Sequence, residues 1–103
     1  MNIVIGTKDN FEAEVLKSKE PVLVDFSATW CPPCNALHPT LEEMAEESDK
    51  YKIVTVDVDE ESELAAKYGV SSIPCIIAFK KGAEAERIIG LQSKKRLIKM
   101  LGV

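Results

Sequence analysis

The sequence is poor in several features that mark whole classes of proteins. It has three cysteines in 103 residues, an odd number and too few for a small domain held together by disulfides. No apolar run is long enough to span a membrane, and the first eight residues lack the cationic start and apolar core of a signal peptide. We therefore expect a cytoplasmic protein that does not enter a membrane.

Excess positive charge, repeats and linkers are also absent. Thirteen Lys and Arg residues against 17 Asp and Glu residues give a net charge of −4, which argues against nucleic-acid binding because that requires a cationic face. No low-complexity tract interrupts the chain, and its length fits one domain, so we expect residues 1–103 to form a single domain. Apolar residues make up 46% of the chain, enough to bury a core without a metal or disulfides.

Strand-like and helix-like segments alternate along the chain. Apolar and β-branched runs predict strands at 2–6, 21–27, 52–58, 74–80 and 84–90. Apolar spacing and capping residues predict helices at 9–18, 34–48 and 60–68, and a last one capped by Ser93. The order βαβαβαββα predicts an α/β fold: a mixed sheet of about five strands with helices on both faces, ending in a hairpin at Gly82.

Two cysteines separated by two residues follow the predicted strand 21–27 and open the next helix, in the segment Trp30-Cys31-Pro32-Pro33-Cys34. A C-x-x-C pair in this place is typical of thiol–disulfide exchange. Because Pro32 suits the first helical position, Cys31 should be the N-cap, where the helix dipole favours a thiolate. Cys31 is the candidate nucleophile, and Cys34, expected to be more buried, the resolving thiol. The alternative is an inert pair or a zinc half-site, for which no second such pair exists.

A carboxylate interrupts the apolar run of the predicted strand 21–27. Burying a lone carboxylate is costly, so Asp25 either points into water from an edge strand or is desolvated with a raised pKa. The apolar residues on either side of it favour a covered strand. A desolvated Asp25 near Cys34 could act as its general base, directly or through a water.

These patterns together resemble the thioredoxin family over essentially the whole chain. The matching segments are Val24-Asp25-Phe26, Ala28-Thr29-Trp30-Cys31-Pro32-Pro33-Cys34, Pro39, Asp57-Val58-Asp59, Lys67-Tyr68-Gly69-Val70, Ile73-Pro74 and Phe79-Lys80-Lys81-Gly82. The resemblance implies a thioredoxin-like fold and a protein-disulfide reductase in which Asp25 shuttles the proton. The implied partners are proteins with disulfides and a thioredoxin reductase or equivalent electron donor. We expect a monomer that needs no bound cofactor or metal.

The resemblance also implies a strip that binds substrate beside the cysteines. A cis peptide bond before Pro74 would lie against the cysteine pair, and Ile73 would offer backbone hydrogen bonds to an extended substrate. Trp30 would cover one side of the groove, and Gly90, lacking a side chain, would let substrate approach. The alternatives are a strand-start proline, plain packing of Trp30 and a plain turn at Gly90.

The sequence departs from the family pattern at three positions around the predicted site. Pro32-Pro33 stands where Gly-Pro is the commonest form, and this difference leaves the redox potential of the cysteine pair open. For a two-electron couple, a shift of about 30 mV changes the equilibrium constant of the exchange tenfold. Ser27 stands where the family usually has a tryptophan. Thr55 stands where a lysine typically lies near the buried aspartate, and without that cation Asp25 should hold its proton more tightly.

A fourth departure is Cys75, which follows Pro74 and is therefore expected near the Cys31–Cys34 pair. It could be a small buried hydrophobe, an alternative disulfide partner or oxidative switch, or part of a three-thiolate metal or iron–sulfur site with His38 as fourth ligand. The alternatives to a reductase are thus a disulfide oxidase or isomerase, a metal-binding protein and a non-catalytic binding module on the thioredoxin fold.

Overall fold

Five strands form one mixed sheet in the computed structural model, which describes residues 2–103. The strand order is β1-β3-β2-β4-β5. Strands β1, β2 and β3 run parallel, whereas β4 pairs antiparallel with both β2 and β5. The strands are β1 Val4–Ile5, β2 Val22–Ser27, β3 Lys52–Asp57, β4 Cys75–Lys80 and β5 Ala83–Ile89. The predicted mixed sheet is confirmed.

Helices cover both faces of the sheet, as predicted. They are a π-helix Glu12–Leu16 and the α-helices α1 Pro32–Glu47, α2 Ser62–Lys67 and α3 Lys94–Leu101. Leu23 of β2 packs in one core cluster with residues of α1 and α3, while Val22 and Val24 pack in another with residues of the π-helix and α2. Because side chains alternate along a strand, Asp25 lies on the face that α1 covers.

The first predicted helix is shorter than expected and has a different hydrogen-bond pattern. The Lys17 amide donates to the Glu12 carbonyl five residues back, over 2.8 Å, which defines a π-helix. Its N-cap is Phe11, which makes no side-chain capping hydrogen bond. The D-x-x-E pattern at Asp9 was misleading because the preceding turn is closed instead by Asn10, whose Oδ1 accepts from the Thr7 amide over 2.7 Å.

The predicted turn between the last two strands is confirmed and is tight. Lys81 and Gly82 both have positive φ, 52° and 80°, the combination found in two-residue hairpin loops of type I′. Gly69, with φ 66°, ends α2 as predicted. The hairpin holds β4 against β2, and β4 begins directly after Pro74 at the end of the sheet where α1 starts.

Candidate active site

The N-terminus of α1 holds the two cysteines together. Cys31 is the N-cap, with extended backbone angles (φ −96°, ψ 110°), and two prolines occupy the first helical positions, as predicted. A disulfide joins Cys31 to Cys34 across a Cα–Cα distance of 5.2 Å. The Cys34 amide donates to Cys31 Sγ over 3.3 Å, so a negative charge on that sulfur would be stabilised by the first turn of the helix.

The burial of the two cysteines differs from the prediction. Cys31 is 3% exposed and Cys34 is 4% exposed, so the expectation that Cys34 is the more buried residue is wrong. The chain before α1 folds back, with the Cys31 amide donating to the Ala28 carbonyl over 3.3 Å, and Ile73 packs against the cluster that Ala28 forms with the two cysteines. The two cysteines are therefore about equally buried in one shared cluster.

Asp25 is a buried carboxyl under the start of α1. It is 2% exposed, and its Oδ1 has no hydrogen-bond partner. Burial raises the pKa of Asp25 from 3.8 to about 7, because a charged carboxylate is poorly solvated there. The alternative of an edge strand with this side chain in water is thereby excluded.

A cavity of about 550 Å³ connects Asp25 with Cys34. Thr55, the in-register neighbour of Asp25 on β3, borders this cavity, as does Ser27 at the end of β2. Both positions depart from the family pattern, and both hold a small hydroxyl side chain where a larger one is usual. The cavity therefore lies where the sequence lacks two bulky side chains.

Of the residues expected to bind substrate, Ile73 packs against the cysteine cluster, and Trp30 directly precedes Cys31. The peptide bond before Pro74 is cis, and Ile73 packs in the cluster of Cys31 and Cys34. Trp30 is 66% exposed, and its Nε1 donates to Asp59 Oδ2 over 2.7 Å. In the sequence, Asp59 stood out only as part of a strand-end motif, since a hydrogen bond over 29 positions leaves no local signal.

Gly90 lies beside Pro74 and has a backbone that requires glycine. Its φ is 97°, outside the range that other residues adopt readily, and its amide donates to the Pro74 carbonyl over 2.9 Å. A Cβ added at Gly90 would meet no atom within 4 Å. The space next to Gly90 is therefore open, and the turn explains the residue type by itself.

Cys75, expected near the Cys31–Cys34 pair, packs in a different core cluster from those two cysteines. It is 1% exposed and packs with Phe26 and Ile77 in the core under the π-helix and α2. The reason is strand register: Cys75 pairs with Phe26, and paired residues point to the same face. Burial raises the pKa of the Cys75 thiol, which fits the small buried hydrophobe.

The metal-binding alternative finds no set of ligands in the part of the chain that the structure describes. Within residues 2–103, no three His, Cys, Asp or Glu side chains are grouped to hold a metal ion. His38, the suggested fourth ligand, lies on the surface with its Nε2 3.5 Å from Glu42 Oε1. Over the same residues, every helix is too short or too polar to cross a membrane.

Similarity to known proteins decides the family. A family model described as thioredoxin matches residues 2–102. The chain belongs to the thioredoxin family. The thioredoxin of Rickettsia bellii is 44% identical over 96 residues, covering 92% of this chain and 91% of that protein. The thioredoxin of Bacillus subtilis is 47% identical over 98 residues, covering 94% and 92%.

A solved thioredoxin structure agrees with this assignment. A point mutant of thioredoxin from Halobacterium salinarum NRC-1 has a TM-score of 0.89 and 32% sequence identity, covering 97% of this chain and 88% of that one. The predicted thioredoxin fold is confirmed. Family membership and the Cys31–Cys34 disulfide also confirm the predicted activity, which is thiol–disulfide exchange by a protein-disulfide oxidoreductase. Thioredoxin membership further implies protein substrates and a thioredoxin reductase as partner.

Proposed function

We propose that the protein reduces protein disulfides with Cys31 as the attacking thiolate and Cys34 as the resolving thiol. Cys31 Sγ attacks one substrate sulfur, forming a mixed disulfide and releasing the other substrate sulfur as a thiolate. Cys34 then attacks Cys31 Sγ, which releases the second substrate thiol and leaves the Cys31–Cys34 disulfide. Two electrons pass to the substrate. The observation that carries this assignment is the hydrogen bond from the Cys34 amide to Cys31 Sγ at the helix N-terminus.

Asp25 is proposed as the general base for Cys34. The resolving step requires Cys34 to lose a proton, and Asp25 borders the same cavity as Cys34. With a pKa of about 7, Asp25 can both accept and return a proton near neutral pH. A carboxyl with an ordinary pKa would be a much weaker base.

The substrate is proposed to bind as an extended segment beside Ile73 and Pro74. The half-buried Ile73 contacts the cysteine cluster, so a backbone hydrogen-bonded there would place its disulfide next to Cys31. Exposed Trp30, held by Asp59, forms one wall of the groove. On the other side, the open space at Gly90 lets the substrate approach. This arrangement selects for an extended backbone rather than for one sequence.

The cellular setting belongs to the same proposal. A single-domain monomer in the cytoplasm would be returned to the dithiol form by a thioredoxin reductase or an equivalent donor, without a cofactor of its own. The thioredoxin relatives support a thioredoxin reductase as the donor, and the net charge of −4 opposes association between copies.

The two cysteine roles can be separated by trapping the mixed disulfide. We expect Cys34→Ser to accumulate a covalent complex with a disulfide-containing protein such as insulin, because nothing resolves it, and Cys31→Ser to form none. Non-reducing electrophoresis and intact mass measure the complex. The reverse pattern would exchange the two roles, and no complex with either variant would contradict the mechanism.

The redox potential of the Cys31–Cys34 pair tests the direction of electron flow. Equilibration against dithiothreitol should give a value near the roughly −270 mV of thioredoxin, whereas about −180 to −120 mV would indicate an isomerase or oxidase. Cys75→Ser serves as the matched control, because Cys75 lies in a separate core cluster.

A further inference from the structure

We propose that the cavity beside Asp25 binds a small primary alkylammonium ion. The site is distinct from the strip that meets protein substrates, and its occupant would pair with the Asp25 carboxylate. Binding needs neither turnover nor the assignment of Asp25 as a general base.

The anchor of the site is the unpartnered carboxyl. Across residues 2–103, Asp25 Oδ1 is the one buried side-chain nitrogen or oxygen without a hydrogen-bond partner. Such an atom normally has a partner, and Asp25 borders a cavity of about 550 Å³. The volume is sufficient for a small organic molecule. The carboxyl thus offers an unused acceptor to whatever enters.

The charge of the lining selects a cation. Four carboxyl side chains border the cavity and no Lys or Arg does. Two of the outer carboxylates are already engaged: Asp57 Oδ1 accepts from the Asp59 amide over 2.8 Å, and Glu61 Oε1 accepts from the Lys8 amide over 2.8 Å. The buried Asp25 is therefore the acceptor best placed to bind a donor tightly.

The polar and apolar parts of the lining select a primary ammonium on an alkyl chain. An ammonium group has three donors, and Ser27 and Thr55, whose side chains carry hydroxyls, border the cavity together with Asp25. Ile5 and Ala28 supply apolar lining for methylene groups. A metal ion fits poorly, because no three ligating side chains are grouped within residues 2–103.

The occupant is a free molecule rather than a side chain of the docked substrate. None of Trp30, Ile73, Pro74 and Gly90 borders this cavity. A peptide lying along those residues would therefore approach the cysteines from outside the cavity lining.

Binding should strengthen as the pH rises. An alkylammonium ion pairs with the ionised form of Asp25, and burial raises the pKa of Asp25 to about 7; the amine itself keeps its proton to a pH near 10. The other titratable groups facing the cavity are His38 from α1, Asp57 from β3, and Glu60 and Glu61 from the segment before α2.

The test is a titration of the oxidised protein with n-butylamine hydrochloride, followed by amide NMR at pH 8. We expect saturable shifts at Ser27 and Thr55, a dissociation constant at least about tenfold weaker at pH 5.5, and a similar loss in Asp25→Asn. Glu61→Gln is the matched control and should change the constant less than about threefold. Thr55→Lys places an ammonium beside Asp25 and should abolish binding; a well-dispersed spectrum checks its folding.

Three results would overturn the site. The first is a titration that does not saturate below about 100 mM amine. The second is equally tight binding of n-butanol, which would show that the cavity recognises only apolar groups. The third is an equal loss of amine affinity in Asp25→Asn and Glu61→Gln, which would show attraction by surface charge. Because the protein stays oxidised throughout, failure here leaves the cysteine-trapping experiment untouched.

Discussion

Asp25 couples protonation to folding at the scale of a single residue. Its pKa is 3.8 in an unfolded chain and about 7 in the folded protein, so between these values the folded state holds a proton that the unfolded state has lost. The contribution of Asp25 to stability therefore falls as the pH rises from about 4 to 7, by about 4 kcal/mol in all, and changes little above that.

Asp25→Asn should remove this pH dependence. An amide stays neutral at every pH, so we expect the variant's unfolding free energy minus that of the wild type to rise by up to about 4 kcal/mol between pH 4 and pH 8. Urea unfolding of the oxidised proteins measures it. Glu46→Gln, on the exposed face of α1, is the control and should follow the wild type. Parallel curves for Asp25→Asn and the wild type would contradict the burial of this charge.

Single residues were predictable from the sequence where the local chain determines them. Pro32 places Cys31 at the N-cap, and the apolar neighbours of Asp25 predict its burial. The position of Cys75 was not predictable, because it depends on which residue of β2 it pairs with. The equal burial of Cys31 and Cys34 depends on the path of the loop before α1.

Caps and turns fix where the elements begin and end. Ser93 caps α3 as predicted, its Oγ accepting from the Arg96 amide over 3.2 Å, and Gly69 ends α2. Both are signals within four residues of the boundary they mark. The π-helix and the bulge at Ala78/Phe79 were not predictable, since both depend on contacts with distant segments.

Two glycines with similar backbone angles should differ in their tolerance of alanine. Gly69 and Gly82 have φ of 66° and 80°. At either position an alanine in this left-handed conformation should lower the free energy of unfolding by about 1 kcal/mol. A Cβ at Gly69 would meet nothing within 4 Å, whereas at Gly82 it would lie 2.7 Å from the Leu16 carbonyl oxygen. We expect Gly82→Ala to lose at least about 2 kcal/mol, because the hairpin must move away from the π-helix.

Urea unfolding of both variants at one pH measures the difference. Gly69→Ala is the control for the cost of the backbone angle alone. Equal losses in the two variants would show that the hairpin adjusts freely and that the contact with Leu16 carries no cost.

At the scale of the whole molecule, the mixed sheet could be predicted from the alternation of strands and helices along the chain. The cavity beside Asp25 could not be predicted in this way. Ser27 and Thr55 could each be recognised as small residues in unusual places. That they border one space with Asp25 depends on the parallel register of β2 and β3, which pairs Asp25 with Thr55. Register is set by many side chains together, so no local segment predicts it.

The surface of the molecule predicts a monomer. The longer edge strand, β5, carries Glu84, Glu86 and Arg87, and such charges oppose pairing between sheet edges. Within residues 2–103 the large exposed apolar side chains lie on different elements: Ile5 on β1, Ile89 on β5, and Trp30, Leu91 and Val103 outside the strands and helices; Trp30 is engaged by Asp59. The net charge of −4 adds repulsion between copies. Sedimentation equilibrium over a roughly 50-fold concentration range should therefore give 11.4 kDa in both redox states.

A mass that rises toward twice this value would contradict the prediction, and its cause would then be open to test. If the copies met through the strip that binds substrate, Trp30→Ala would restore the monomer and the specific activity of the wild type would fall as its concentration increased. If they met through β5, Trp30→Ala would leave the dimer intact, while Ala85→Pro, at the β5 position with no register partner on β4, would weaken strand pairing because proline is poorly tolerated within a sheet. Constant specific activity together with a constant mass would establish that the cysteine pair works in a single chain.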